Sequence, residues 1–252
     1  MNRYFLEVAY NGTRYSGFQV QENAVTIQSE VEKALEIFLR KKVELTGSSR
    51  TDAGVHALQN YFHFDFTDEI GERSIYNLNA LLPDDIAINS MHRFAEEDGE
   101  AQPHCRFDAI ARDYRYYVYK KKDPFLRERA YYFPYTLDVD AMREAAAAVK
   151  EYEDFTSFSK RNTQVKNFVC RIAESGWMEE GEVIVYRVKA NRFLRGMVKA
   201  MVGTMLQVGR GKMSVAEFRK VIEAKDCTMA DFSAPGQGLF LVGVEYPKNF
   251  FL

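Results

Sequence analysis

Residues 47–57 read Gly47-Ser48-Ser49-Arg50-Thr51-Asp52-Ala53-Gly54-Val55-His56-Ala57, between two runs with strand character, residues 42–46 and 58–66. That arrangement restricts the chain to folds in which two strands hold an irregular polar loop. Glycines at both ends of the loop allow tight turns and close backbone approach. Strands fix whatever the loop carries, which is a usual setting for reactive groups. Arg50 and Asp52 are two residues apart, so an extended backbone points both side chains the same way. Two readings are open. In one, the segment is a surface turn and Asp52 caps backbone amides. In the other, an Arg beside an Asp favours the carboxylate, and a positioned carboxylate performs nucleophilic chemistry at carbon.

Composition enters only as a set of bounds. A chain of 252 residues can bury a sizeable core, in one large domain or two small ones. With 46% hydrophobic and 28% charged residues it is an ordinary soluble globular protein. The formal net charge of −2 neither requires nor excludes a nucleic-acid partner, because 34 basic and 36 acidic residues can still be segregated into opposite faces. Cys105, Cys170 and Cys227 form a sparse, odd set, which argues against a disulfide framework and fits a reducing cytosol. His56, His63, His92 and His104 lack metal-site spacing, so no metal is expected. No signal peptide and no membrane-spanning apolar run is visible.

Taken in order, residues 3–10 alternate as a first strand, with Tyr4, Leu6, Val8 and Tyr10 on one face. Thr26 caps a helix to about residue 40, with Ile27, Val31, Leu35 and Phe38 in one stripe. After the loop, Leu58, Phe62, Phe64 and Phe66 form the apolar side of a strand. Ser74 caps a short helix that stops before Pro83, residues 86–94 form a strand, and the acidic run 96–100 is an exposed loop. A boundary near Pro103 divides the chain into an N-terminal half, 1–103, and a C-terminal half, 104–252.

The second half opens on a long strand, 106–122, carrying Arg112-Asp113-Tyr114-Arg115-Tyr116-Tyr117-Val118-Tyr119. Tyrosines among arginines fit a cross-strand aromatic face as well as a nucleic-acid surface. Asp138 caps a helix to residue 150, and 168–178 with 183–190 form a hairpin across 179–182. Residues 193–208 keep helical spacing despite Gly196 and Gly203, and their methionine stripe is core. Ser214 and Glu217 form a capping box, and residues 234–241 lead into a last strand ending near 246.

The string Ser49-Arg50-Thr51-Asp52-Ala53-Gly54-Val55-His56-Ala57 closely resembles the active-site motif of the tRNA pseudouridine synthase A family. The likeness extends from Val8 to Pro247. It takes in Tyr10-Asn11-Gly12, Phe18-Gln19-Val20-Gln21, Asp154-Phe155-Thr156-Ser157-Phe158, 191–203 and 234–241. Phe18 stands where relatives often have Trp, which is another large apolar ring. Lys199 stands where they usually have Arg, and Ala200 replaces the following Asn. Lys keeps the charge and loses the bidentate geometry.

The resemblance implies a mixed α/β fold, with a large, mostly antiparallel sheet flanked by helices and a cleft between two halves. It implies isomerisation of uridine to pseudouridine at positions 38, 39 and 40 of the tRNA anticodon arm, without a cofactor. It also implies a cytoplasmic homodimer in which one tRNA touches both subunits. Asp52 is then the catalytic carboxylate, acting at C1′ of the ribose or, alternatively, adding to C6 of the base. Tyr114 stacks on the uracil, Arg50 supports the flipped nucleotide, and Lys199 pairs with the carboxylate, a role that Arg195, one turn earlier, could take instead. Candidate phosphate contacts are Arg14, Lys41, Lys42, Arg112, Lys160, Arg161, Arg192 and Arg195. Two rivals stand beside this reading. One is a non-catalytic RNA-binding protein of the same fold. The other is a glycosidase pairing Asp52 with Asp65 or Asp113.

Overall fold

The computed structural model describes residues 1–71, 73–95, 102–161 and 165–251, and the acidic run 96–100 lies outside them. The chain divides into two compact units, Met1–Ile110 with Leu241–Leu252, and Ala111–Phe240. Residues 104–110 and the C-terminal strand region thus cluster with the first unit. Nine strands and five α-helices among the described residues give the expected mixed α/β class.

The first unit is built on β1 (Asn2–Tyr10), followed by α1 (Ile27–Leu39), β2 (Thr46–Gly47), β3 (His56–Phe66), α2 (Ser74–Leu81) and β4 (Ile86–Phe94). β1 lies between β3 and β4 and is antiparallel to both. Its position covers both faces: Tyr4, Leu6 and Val8 are buried on one side and Phe5 on the other. Phe5 meets the rings of Phe94, Tyr246, Phe250 and Phe251, so the C-terminal residues cover that face. Each fully buried side chain of this size contributes roughly 1.5–3 kcal/mol.

Thr26 caps α1 as expected, in a reciprocal box with Ser29, and Arg40 ends the helix in the left-handed region at φ 53°. Three expectations need correction. The strand read over 42–46 shrinks to β2, because Glu32 and Gln28 of α1 take the Leu45 N–H and C=O in place of a sheet partner. Leu58 is exposed rather than on the apolar side of β3. The register slips between Val8/Asn60 and Tyr10/Ala57, and that irregularity turns Leu58 outward. Arg73, not Ser74, holds the cap position of α2, while the Ser74 hydroxyl donates to the Gly71 carbonyl.

The second unit begins with β5 (Ala111–Tyr119) and continues through β6 (Tyr131–Tyr132), α3 (Val139–Val149), β7 (Ile172–Glu180), β8 (Val183–Ala190), α4 (Met197–Gly209) and α5 (Val215–Glu223). β9 (Leu239–Glu245) follows at the end of the unit and carries the chain back to the first. β5 is shorter than the run 106–122, since residues 105–108 form a turn. β8 is antiparallel to both β5 and β7, and β6 is parallel to β5. Asp138 caps α3 through the Ala141 amide, and Ser214 with Glu217 boxes the start of α5.

Helix α4 is buried on every side except at Gln207, the pattern of a core helix. It starts four residues later than the sequence spacing suggests, because Gly196 takes φ 76° and ends the helical path there. Gly203 sits mid-helix because a Cβ would lie 2.2 Å from the Asp231 carbonyl oxygen.

Candidate active site

In the first unit the segment 47–57 is held from two sides. From below, Asn60 of β3 donates to the Ser49 carbonyl at 2.9 Å and to the Tyr10 hydroxyl at 3.1 Å. The Tyr10 hydroxyl, whose oxygen accepts from Asn60, also lies in hydrogen-bond contact with Thr51 Oγ1 at 2.9 Å, where either hydroxyl can donate. Tyr10, Thr51 and Asn60 are all buried, and burial pushes the Tyr10 phenol up to about 12. That hydroxyl therefore keeps its proton at any working pH. The Ser48 and Ser49 hydroxyls are buried without a hydrogen-bond partner among the described residues.

From the side, residues 11–18 wrap the same segment. The Gly12 amide donates to His56 Nδ1 at 3.1 Å, the Gly54 amide to the Tyr15 carbonyl at 3.4 Å, and the Phe18 amide to the Thr51 carbonyl at 3.0 Å. Two glycines permit this proximity. A Cβ on Gly12 would sit 2.0 Å from the Val55 carbonyl oxygen, and one on Gly47 would sit 2.1 Å from the Phe18 ring. Phe18 is buried and stacks on Phe62 at 4.6 Å, so its ring is core. Asp52 sits on the turn between these braces, partly exposed, with Arg50 exposed two residues before it. Neighbours on both sides are fixed by backbone bonds, which is what a carboxylate acting on a bound substrate requires.

In the second unit Arg112, Tyr114, Tyr116 and Val118 share the buried face of β5. Tyr114 is 8% exposed and meets the Phe193 ring edge-on at 5.1 Å, which fixes its plane. Arg112 donates to the Asn191 carbonyl at 2.9 Å. Lys199 is buried in the first turn of α4. Arg195 is exposed and lies before the helix, not one turn earlier within it. Its carbonyl accepts from the Lys160 amide at 3.0 Å. Arg192 and Lys160 are half-buried, and Lys41, Lys42 and Arg161 are exposed. Arg161 lies 4.0 Å from Asp226, and Arg14 pairs with Asp85 at 2.7 Å.

The glycosidase rival loses its partners. Asp65 spends both carboxylate oxygens on Arg3 at 2.7 Å each, and Asp113 is bridged to Arg187 at 2.7 Å. Sequence spacing also missed a cluster. His63, His104 and Cys105 bring potential ligand atoms within 4.8 Å of one another. Their chemistry is taken up by the fold. His63 Nδ1 accepts from the Cys105 amide, His104 Nδ1 from the Arg106 amide, and the Cys105 thiol donates to the Thr46 carbonyl. The same reading missed Asn60 and Asp85. A polar residue in an apolar strand is the signal for the first, and none marks the second.

Comparison with known proteins completes the picture. A model of the family described as tRNA pseudouridine synthase matches residues 7–108 and 148–247. The chain is 47% identical to the tRNA pseudouridine synthase A of Parabacteroides distasonis, over all of this chain and 98% of that one. It is 49% identical to the Bacteroides thetaiotaomicron protein of that name, over all of this chain and 93% of the relative. It is 42% identical to the Bacillus subtilis one, over 95% and 97%. The fold and these matches define an RNA-modifying isomerase. The chain belongs to the tRNA pseudouridine synthase family.

Proposed function

We propose that the chain converts uridine to pseudouridine at positions 38, 39 and 40 of the tRNA anticodon arm, with Asp52 as the catalytic carboxylate. The observation that carries this is the double bracing of a partly exposed Asp52 by the Tyr10–Thr51–Asn60 bonds and by residues 11–18. A merely capping turn residue needs neither.

The target base leaves its stack at a cost of roughly a few kcal/mol. The Asp52 carboxylate attacks C1′ of the ribose, and the N1–C1′ electron pair leaves with the uracil. The uracil turns so that C5 faces C1′. C5 then bonds C1′ and displaces the carboxylate, the C5 proton is lost, and N1 takes one up. Atoms and charge balance, so the reaction consumes nothing and calls for no cofactor. Tyr114 stacks on the uracil while it turns, a contact worth ~1–3 kcal/mol. Arg50 supports the flipped nucleotide, and Lys199 supplies the cation that pairs with the carboxylate. Arg14, Lys41, Lys42, Arg112, Lys160, Arg161, Arg192 and Arg195 serve the phosphates. The enzyme works in the cytoplasm as a homodimer, because a tRNA is larger than one subunit's face.

The test is to incubate the enzyme with an unmodified tRNA transcript bearing uridines at 38–40 and map the product. Pseudouridine confined to those positions supports the reading. Pseudouridine elsewhere in the tRNA, with none at 38–40, refutes the site assignment. Release of free uracil refutes the isomerisation itself.

A further inference from the structure

Asp85 lies in the turn between α2 and β4, after Pro83-Asp84, well beyond the loop of Asp52 in sequence. It holds the wrapping segment at three points. Its Oδ1 accepts from the Tyr15 hydroxyl at 2.5 Å, its Oδ2 from Arg14 Nε at 2.7 Å, and its backbone carbonyl from the Asn11 amide at 2.9 Å. The side chain is only 15% exposed. Burial works to raise the Asp85 pKa, but the bonds from Arg14 and Tyr15 outweigh it and hold the carboxyl below its ordinary value. Asp85 thus serves the segment as an anion, which accepts hydrogen bonds more strongly than a neutral group.

The three residues it holds belong to the segment that grips the Asp52 loop. Asn11 leads into Gly12, which bonds His56 and touches Val55; Tyr15 takes the Gly54 amide; Gly17 and Phe18 lie against Thr51. These contacts pass through a segment that Asp85 ties down. We infer that Asp85 is a positioning residue for the reaction. It sets the location of the Asp52 carboxylate through Tyr15 and Arg14 and touches no substrate itself. This assigns Arg14 a structural bond that its Nη groups can combine with a phosphate contact. The inference rests on the reading of Asp52 as the catalytic group.

The experiment measures kcat, KM and tRNA affinity for Asp85→Ala, Asp85→Asn, Tyr15→Phe and the double variant Asp85→Ala/Tyr15→Phe, with Asp52→Asn alongside. A misplacement of about 1 Å costs on the order of 100-fold in rate, so Asp85→Ala should lose ~10–100-fold in kcat. KM and affinity should stay within about 3-fold, since phosphate contacts dominate affinity. Asp85→Asn should fall between, because its amide oxygen still accepts from Tyr15 while its NH₂ cannot accept from Arg14. The double variant should be no slower than Asp85→Ala, since both changes cut one link. An unchanged kcat in Asp85→Ala overturns the inference. So does a loss confined to KM, which would make the Arg14–Asp85 pair an RNA contact, and so do additive losses in the double variant. Should Asp85→Ala not fold, Tyr15→Phe decides: normal kcat overturns the inference, and a several-fold loss supports it. Retained turnover in Asp52→Asn would instead defeat the Asp52 reading, whatever the Asp85 variants do.

Discussion

The Tyr10 hydroxyl stands 2.9 Å from Thr51 Oγ1, one residue before Asp52, and Asn60 ties that same hydroxyl to the Ser49 carbonyl. Replacing Tyr10 with Phe keeps the ring and strips this buried link, leaving Thr51 and Asn60 short of a partner. Unmet buried polar groups cost roughly 1–3 kcal/mol. Urea unfolding of Tyr10→Phe should show stability lowered by that amount. Unchanged stability would mean that the network contributes nothing to holding the fold.

Gly47 and Phe18 make a second test. A Cβ at Gly47 would lie 2.1 Å from the Phe18 ring, and that ring is fixed by its stack on Phe62. Gly47→Ala should therefore cost ~1–3 kcal/mol from overpacking. Phe18→Leu, made in the Gly47→Ala background, should give part of it back. If thermal unfolding shows the two losses simply adding, the clash is not the cause.

His63 makes stability depend on acid. Burial, aided by the Arg3 charge, depresses its pKa to about 4, against an ordinary value of 6.5. Between those values the unfolded chain binds the extra proton and the folded one does not. Stability is therefore whole above pH 6.5 and falls as pH drops toward 4. The fall is at most about 1.4 kcal/mol for each pH unit crossed. His63→Asn keeps an oxygen in the place of Nδ1 to accept the Cys105 amide and should flatten that fall, as read by urea unfolding at about pH 7 and about pH 4.5. An equal fall in both proteins would assign the acid sensitivity elsewhere.

Tyr114 separates stacking from proton chemistry. If the ring alone matters, Tyr114→Phe should retain most of kcat, since base–aromatic stacking needs only the π-face. If the hydroxyl helps remove the C5 proton, Tyr114→Phe should bind tRNA normally and turn over slowly. Tyr114→Leu should be inactive in either case, and an active Leu variant would remove Tyr114 from the reaction.

Much of this was legible in the chain, and where it was not the cause is long-range. Caps at Thr26, Asp138 and Ser214 were readable because each is closed by residues within three positions. The Asp52 loop stood out because glycines, hydroxyls and charges crowd one short stretch. The loss of the 42–46 strand was not readable, since Glu32 and Gln28 take its backbone groups from a helix earlier in the chain. The start of α4 depends on one backbone angle at Gly196, which spacing cannot encode. Asp85 gave no signal and Asn60 only that of a polar residue in an apolar strand, because their roles exist only once β1, β3 and the 11–18 segment have met.

The measurement that bears most directly on the account is turnover by Asp52→Asn with tRNA binding followed in parallel. The substitution keeps the size of the side chain and removes the carboxylate proposed to attack C1′. Pseudouridine formation should vanish, while affinity stays within a few-fold because phosphate contacts elsewhere dominate it. An Asp52→Asn enzyme that still forms pseudouridine at a comparable rate would contradict the account outright.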